Sequence, residues 1–212
     1  YTSSKKRCHE NISLNVTEGT VNEKEEVLLN RILSYQPDAV TFSCYIWNFN
    51  MVLDLTREFQ KLMPNVPIWL GGPEVSFDAR NILDKQKEVT GIMIGEGEET
   101  FLHLLKYYVK EEGFGDLKKI QGIVTRDNTY LERPLLDMNK LPFLYEDLSA
   151  FENRIIYYES SRGCPFRCSY CLSSIDKKVR LRNLDIVKKE LQFFLDAKVQ
   201  QVKFVDRTFN CN

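Results

Sequence analysis

The chain has 212 residues, enough for one ordinary domain and part of a second. Its 43% hydrophobic, 12% aromatic and 28% charged residues can build a buried core, which excludes a disordered tail. A formal charge of −1 excludes the global positive field that marks nucleic-acid or anionic-membrane partners, and no apolar run approaches the roughly 20 residues of a membrane-spanning helix. The polar start from Tyr1 to Arg7 is no signal peptide, so the chain reads as soluble and cytoplasmic. Tyr1 in place of a starting Met, and an ending at Phe209 to Asn212 without a helix cap or polar tail, point to a piece of a longer protein.

Strand and helix patterns alternate from the start. Ile12 to Val16 reads as a strand, Glu23 to Ser34 as a helix with Val27, Leu28, Ile32 and Leu33 on one side, and Ala39 to Cys44 as a second strand. A helix from about Met51 to Met63 aligns Met51, Leu55, Phe59 and Leu62. Pro64 and Pro67 bracket the turn into the strand Val66 to Leu70, which Gly71-Gly72-Pro73 ends. A helix over Phe77 to Gln86, a strand over Gly91 to Gly95 and a long helix over Glu98 to Lys110 follow. This alternation predicts parallel βαβ units in an α/β, doubly wound domain of Rossmann or flavodoxin-like type, with helices on both faces of the sheet.

Ligands of such sheets bind outside the carboxyl ends of the strands. The loops there read Ser43-Cys44-Tyr45-Ile46-Trp47-Asn48, Gly71-Gly72-Pro73-Glu74-Val75-Ser76 and Gly95-Glu96-Gly97-Glu98-Glu99-Thr100. Glycine lets backbone approach a ligand closely, and Tyr45 with Trp47 can form a flat apolar wall. Simple turns, a core Trp and acidic residues complementing a helix dipole would give the same letters. Beyond the long helix, Ile120 to Thr125 and Tyr130 to Glu132, joined by Asp127-Asn128, read as a hairpin. Pro134 to Asp147 shows no period and reads as a linker, dividing the chain into a domain over 1–133, a linker over 134–150 and a second region over 151–212.

Six cysteines stand at positions 8, 44, 164, 168, 171 and 211. A secreted disulfide framework would spread them through a small loop-rich chain, whereas three within eight residues point to a metal or cluster. Cys164, Cys168 and Cys171 follow a predicted strand, Ile155 to Glu159, in the spacing Cys-x3-Cys-x2-Cys. Thiolates suit soft metals, and three of them can hold three corners of a cubane whose fourth iron stays open to substrate. Zinc is the alternative and would need a fourth ligand from Cys8, His9, Cys44 or Cys211.

With Arg162-Gly163 before the first cysteine and the aromatic Tyr170 before the last, this segment resembles the cluster motif of radical S-adenosylmethionine (SAM) enzymes. The preceding α/β domain, with its Gly-Gly-Pro-Glu-Val-Ser and Gly-Glu-Gly-Glu-Glu-Thr loops, resembles the B12-binding domain of the cobalamin-dependent class of that family. The resemblance implies a [4Fe-4S] cluster on Cys164, Cys168 and Cys171, with SAM chelating the open iron and split reductively to a 5′-deoxyadenosyl radical. It implies cobalamin at Ser43, Tyr45, Trp47, Gly71, Gly72, Pro73, Glu74, Gly95, Gly97 and Glu98, with methyl transfer to an unidentified substrate as the reaction. It also implies an external electron donor such as flavodoxin or ferredoxin. The Asp-x-His-x-x-Gly motif of cobalamin mutases is absent, and neither His9 nor His103 has its context, so no histidine would ligate cobalt. His103, on the long helix, reads as a half-buried surface residue. Glu74 stands where the subclass often has histidine.

A helix over Leu184 to Ala197, with Ile186, Val187, Leu191, Phe194 and Leu195 inward, and a strand over Val199 to Val205 then read as the opening β-α-β of a radical SAM (β/α) barrel. Asp206 and Arg207, with Thr208 and Asn210, fall where the family faces SAM, and Tyr170 and Asp206 are the SAM candidates; a solvated turn is the alternative for Asp206 and Arg207. Fifty residues from Gly163 leave room for about one and a half β-α units, so the resemblance implies an incomplete barrel, inactive alone. Competing readings are a binding module stabilised by zinc, a degenerate domain that only docks on the barrel, and a methylthiotransferase-like protein. The last needs three upstream cysteines, and only Cys8 and Cys44 are there.

Overall fold

A computed structural model describes residues 12–152, 154–171 and 178–209. Cys8, His9, Asn210 and Cys211 lie outside the described residues. The chain divides into two compact units, Tyr1–Leu135 and Leu136–Asn212. Among the described residues no helix is long and apolar enough to cross a membrane.

The first unit is built on a four-stranded mixed sheet in the order β1-β2-β3-β4. β1 (Val40–Ser43), β2 (Ile68–Gly71) and β3 (Gly91–Met93) run parallel, in the register Val40 to Ile68 and Trp69 to Gly91. Helices α1 (Glu25–Leu33), α2 (Phe49–Leu62), the short α3 (Pro73–Ser76), α4 (Ala79–Lys85) and α5 (Gly97–Tyr108) fill the connections. Alternate residues of β2 serve opposite faces. Ile68 and Leu70 join Val52, Phe59 and Leu83 in one core cluster, while Trp69 joins Met93, Leu104 and Ile123 in the other. Helices therefore cover both faces, as the doubly wound pattern requires. Trp69 is fully buried and donates its indole N–H to Tyr108 at 2.7 Å; a Cβ on Gly91 would meet its ring at 2.4 Å, so this strand position takes only glycine.

Two predicted elements differ. Ile12–Val16 forms no strand: Ile12 and Leu14 are half-buried in alternation, but no described strand pairs with the segment. The predicted hairpin is also not formed as such. β4 (Ile123–Thr125) pairs antiparallel with β3, Met93 opposite Ile123 and Gly91 opposite Thr125, because Ile123 and Val124 fill the two core clusters on opposite faces. The side chain of buried Asn128 accepts from Thr125 N at 2.7 Å and donates to Ile123 O at 3.1 Å, folding the turn back; one backbone bond, from Gly122 N to Leu131 O, does link the two arms of the expected hairpin. At the same end, beside the start of β3, Arg126 donates to the carbonyls of Leu83, Gln86 and Val89, and Arg80 to that of Thr125.

In the second unit β5 (Ile156–Tyr158) pairs parallel with β8 (Val202–Phe204) through the helix α6 (Leu184–Asp196), giving the predicted β-α-β unit; no closed barrel is formed among the described residues. Asn183 caps α6 by accepting from Asp185 N at 2.8 Å. A two-residue ladder, β6 (Ser161–Arg162) with β7 (Arg180–Leu181), lies between them in the chain. Residues 136–151, marked in the sequence only by prolines and lack of period, supply Phe143, Tyr145, Leu148 and Phe151 to the core around Val187 and Phe194.

Candidate functional site

Because β1, β2 and β3 are parallel, their following loops share one edge of the sheet. The first loop is bonded to the second: Cys44 N donates to Gly71 O at 2.7 Å, and Glu74 N to Cys44 O at 3.3 Å. The second is bonded to the third, since Ser76 Oγ donates to Gly72 O at 2.9 Å and accepts from Gly95 N at 3.4 Å. Gly72 lies at φ 103°, ψ 172°, a conformation essentially restricted to glycine, and a Cβ there would meet Cys44 O at 2.5 Å. The sequence thus spends a glycine where two loops touch.

Ser43, Tyr45, Trp47, Gly71, Gly72, Pro73, Glu74, Gly95, Gly97 and Glu98 are all carried on this edge. Tyr45 and Trp47 stack face to face, 4.7 Å between centroids and 8° between planes, with Trp47 67% exposed rather than in the core. Asn48 holds their turn, accepting from Tyr45 N at 2.7 Å and donating to Ser43 O at 2.9 Å. Gly95 and Gly97 have nothing within 4 Å of a notional Cβ, so open space lies over the third loop. An exposed aromatic wall and bare backbone on one sheet edge fit a large, partly apolar ligand. Sequence reasoning gave no role to Asn48, which bonds within its own loop, or to Ser76, which reaches Gly95 of the third loop.

Cys44 lies fully buried beneath this edge, and burial pushes its thiol up from the ordinary 9.0 to about 12, with nearby Glu74 adding to the rise. The folded chain therefore holds this proton more tightly than the unfolded one. That contribution to stability is complete below pH 9 and is lost as pH rises towards about 12. Denaturant midpoints of the wild type are expected to fall more steeply over that range than those of Cys44→Ala, and iodoacetamide at neutral pH should label exposed Cys168 well before Cys44. Equal labelling would contradict the burial. His103, half-buried on α5, has Nδ1 3.0 Å from Arg133 Nη2 and its ring against Phe114, as a structural histidine would.

The cysteine triplet follows the β6 strand of the second unit. Cys164 and Cys171 are half-buried, Cys168 is exposed, and none is in a disulfide. Cys171 N donates to Cys168 O at 3.1 Å, and Tyr170 is 91% exposed. Among the described residues no three His, Cys, Asp or Glu side chains are gathered as a metal site, so the loop presents its thiols without converging them. Three reduced thiols on one exposed loop are the donor set an iron–sulfur cluster takes. Arg162 pairs with Glu159 at 2.8 Å, and Asp206 accepts from Ser160 N and Ser161 N. In the core of the same unit Glu190 accepts from Arg182 at 2.5 Å and from Tyr158 Oη at 2.7 Å, all three buried. Burial, with the Glu190 carboxylate beside it, holds the Tyr158 phenol protonated well above its usual range.

Residues 8–105 match the family model of the B12 binding domain. The cobalamin-dependent radical SAM methyltransferase TokK of Streptomyces tokunonensis is 26% identical over 191 residues, 82% of this chain and 28% of TokK. The anaerobic magnesium-protoporphyrin IX monomethyl ester cyclase of Synechocystis is 29% identical over 132 residues, 57% of this chain and 26% of the cyclase. Among solved structures the radical SAM methyltransferase TsrM from Kitasatospora setae superposes with a TM-score of 0.67 at 15% identity, over 90% of this chain and 41% of TsrM, a likeness of fold. The chain thus spans under a third of the length of these two sequence relatives. Residues 8–105 thus match the B12 binding domain, in a chain similar over most of its length to a cobalamin-dependent radical SAM methyltransferase.

Proposed function

We propose that this chain is part of a cobalamin-dependent radical SAM enzyme that transfers a methyl group to a substrate. The observation that carries the reading is one chain joining a B12-binding fold to Cys164-x3-Cys168-x2-Cys171 on the loop after the first strands of a parallel β-α-β unit. In this reading Cys164, Cys168 and Cys171 would hold a [4Fe-4S] cluster, and exposed Tyr170, next to Cys171 in the chain, would be available to SAM. Bound there, the cluster supplies the electron for SAM cleavage, while cobalamin carries the methyl group. The chain's own share is to hold both. Gly95 and Gly97 would let cobalamin approach backbone closely, and Tyr45 with Trp47 would offer it an apolar wall. Methyl transfer is supported by the name of TokK; the cyclase shows that related chains serve other reactions.

Anaerobic purification and reconstitution test the cluster: iron and sulfide should be bound, and stoichiometric zinc without them would overturn the reading. Titration with hydroxocobalamin tests the first unit. Trp47→Ala should weaken cobalamin retention about tenfold, the loss of one large apolar contact, while leaving thermal unfolding unchanged because the side chain is exposed. Unchanged retention would remove Trp47 from the site.

A further inference from the structure

The cysteine loop begins on a clamped base. Strands β5 and β8 pair in the register Tyr158 to Phe204, and Val205 N donates to Tyr158 O at 2.9 Å, which brings Asp206 level with Ser160. Its carboxylate then accepts from Ser160 N at 2.7 Å, from Ser161 N at 3.1 Å and from Ser160 Oγ. Carboxylate acceptors make the stronger class of hydrogen bond, and here all go to two consecutive residues of one turn. On the other side Ser161 and Arg162 pair with Leu181 and Arg180, and Arg182 N donates to Ser160 O at 2.9 Å. Gly163, buried and at φ 90°, turns the chain out of this clamp and into Cys164. Side chains that leave a fixed base have fewer positions to search when they must converge on a common ligand set.

We propose that Asp206 is a positioning residue for the cysteine loop, fixing the exit angle of Cys164 through Ser160 and Ser161. The inference rests on the cluster reading of the triplet. In this role Asp206 acts on the loop through its bonds to Ser160 and Ser161.

The test uses the full-length protein, reconstituted anaerobically and then challenged with an iron chelator. Asp206→Ala is expected to lose its iron about tenfold faster than wild type, the equivalent of one lost charge-assisted hydrogen bond, and to shift the electron paramagnetic resonance signal of the reduced cluster. Asp206→Asn keeps one oxygen facing the two N–H groups and should recover most of the wild-type retention. Val187→Ala, in the core of the same unit, provides the control: a lowered Tm with wild-type iron loss. Should Asp206→Ala fail to fold, Ser160→Ala decides, with faster iron loss supporting the role and unchanged loss overturning it. The proposal is overturned if Asp206→Ala retains iron and signal as wild type does, or if Val187→Ala sheds iron equally fast at a matched fall in Tm. If Cys164→Ala binds as much iron and sulfide as wild type, the cluster reading itself has failed.

Discussion

Alanine in place of Cys164, Cys168 or Cys171, singly, is expected to strip the reconstituted protein of its charge-transfer absorbance at about 400 nm and of most of its iron and sulfide. The size of the effect follows from the donor count. A cubane held by three thiolates has no spare protein ligand, so each loss exposes a second iron to solvent. Cys44→Ala is the sharp control, since that thiol is buried, held neutral and located in the other unit. Cys211→Ala should likewise leave the absorbance intact. A triplet variant with full absorbance would refute the ligand set, and loss of absorbance in Cys44→Ala would extend it.

Gly72→Val should be the most damaging single change in the first unit. The backbone at φ 103°, ψ 172° carries a strain of about 1–3 kcal/mol for a residue with a side chain. A Cβ 2.5 Å from Cys44 O and 3.0 Å from Cys44 N adds a clash that neither backbone can relieve without breaking the bonds between the first two loops. The thermal transition of the unit should fall by several degrees, as about 1 kcal/mol moves Tm by roughly 4 °C in a domain between the small and the large size classes, and hydroxocobalamin retention should fall with it. Gly97→Ala offers the contrast. Its Cβ meets nothing within 4 Å, so stability should hold while any effect on retention reports the ligand alone. A Gly72→Val protein with the wild-type transition would mean that the loops reorganise freely.

The alternation of strand and helix is legible in the sequence because each element buries a face whose period is set by its own geometry: β1, β2, β3, α2 and α5 all lie within a few residues of their predicted bounds. The candidate ligand edge is legible too, since parallel strands put successive loops on one side. Partners are not. Ile12, Leu14 and Val16 have a strand's alternation, but a strand also needs a neighbour to bond, and hydropathy does not name one. β4 reads as half of a local hairpin because Asp127-Asn128 resembles a turn between its own strands, whereas the open edge of β3 lies far away in sequence. On α6 the apolar stripe includes Leu195, which is 71% exposed, and omits Glu190, which is buried. A charge paired with Arg182 occupies a core position that polarity rules assign to solvent. The roles of Ser76 and Asp206 are hidden for the same reason: each acts through bonds to backbone atoms that only the folded chain brings near.

The antiparallel placement of β4 separates two kinds of residue. Its Thr125 end lies beside the first residue of β3, where the Arg126 and Arg80 clasps gather carbonyls from α4, the α4–β3 connection and the β4 turn; the bare glycines and the Tyr45–Trp47 stack lie at the other end of the sheet. Divergence of the ligand loops can therefore proceed without loosening the clasp, so a lineage could exchange one bound cofactor chemistry for another while keeping the same scaffold.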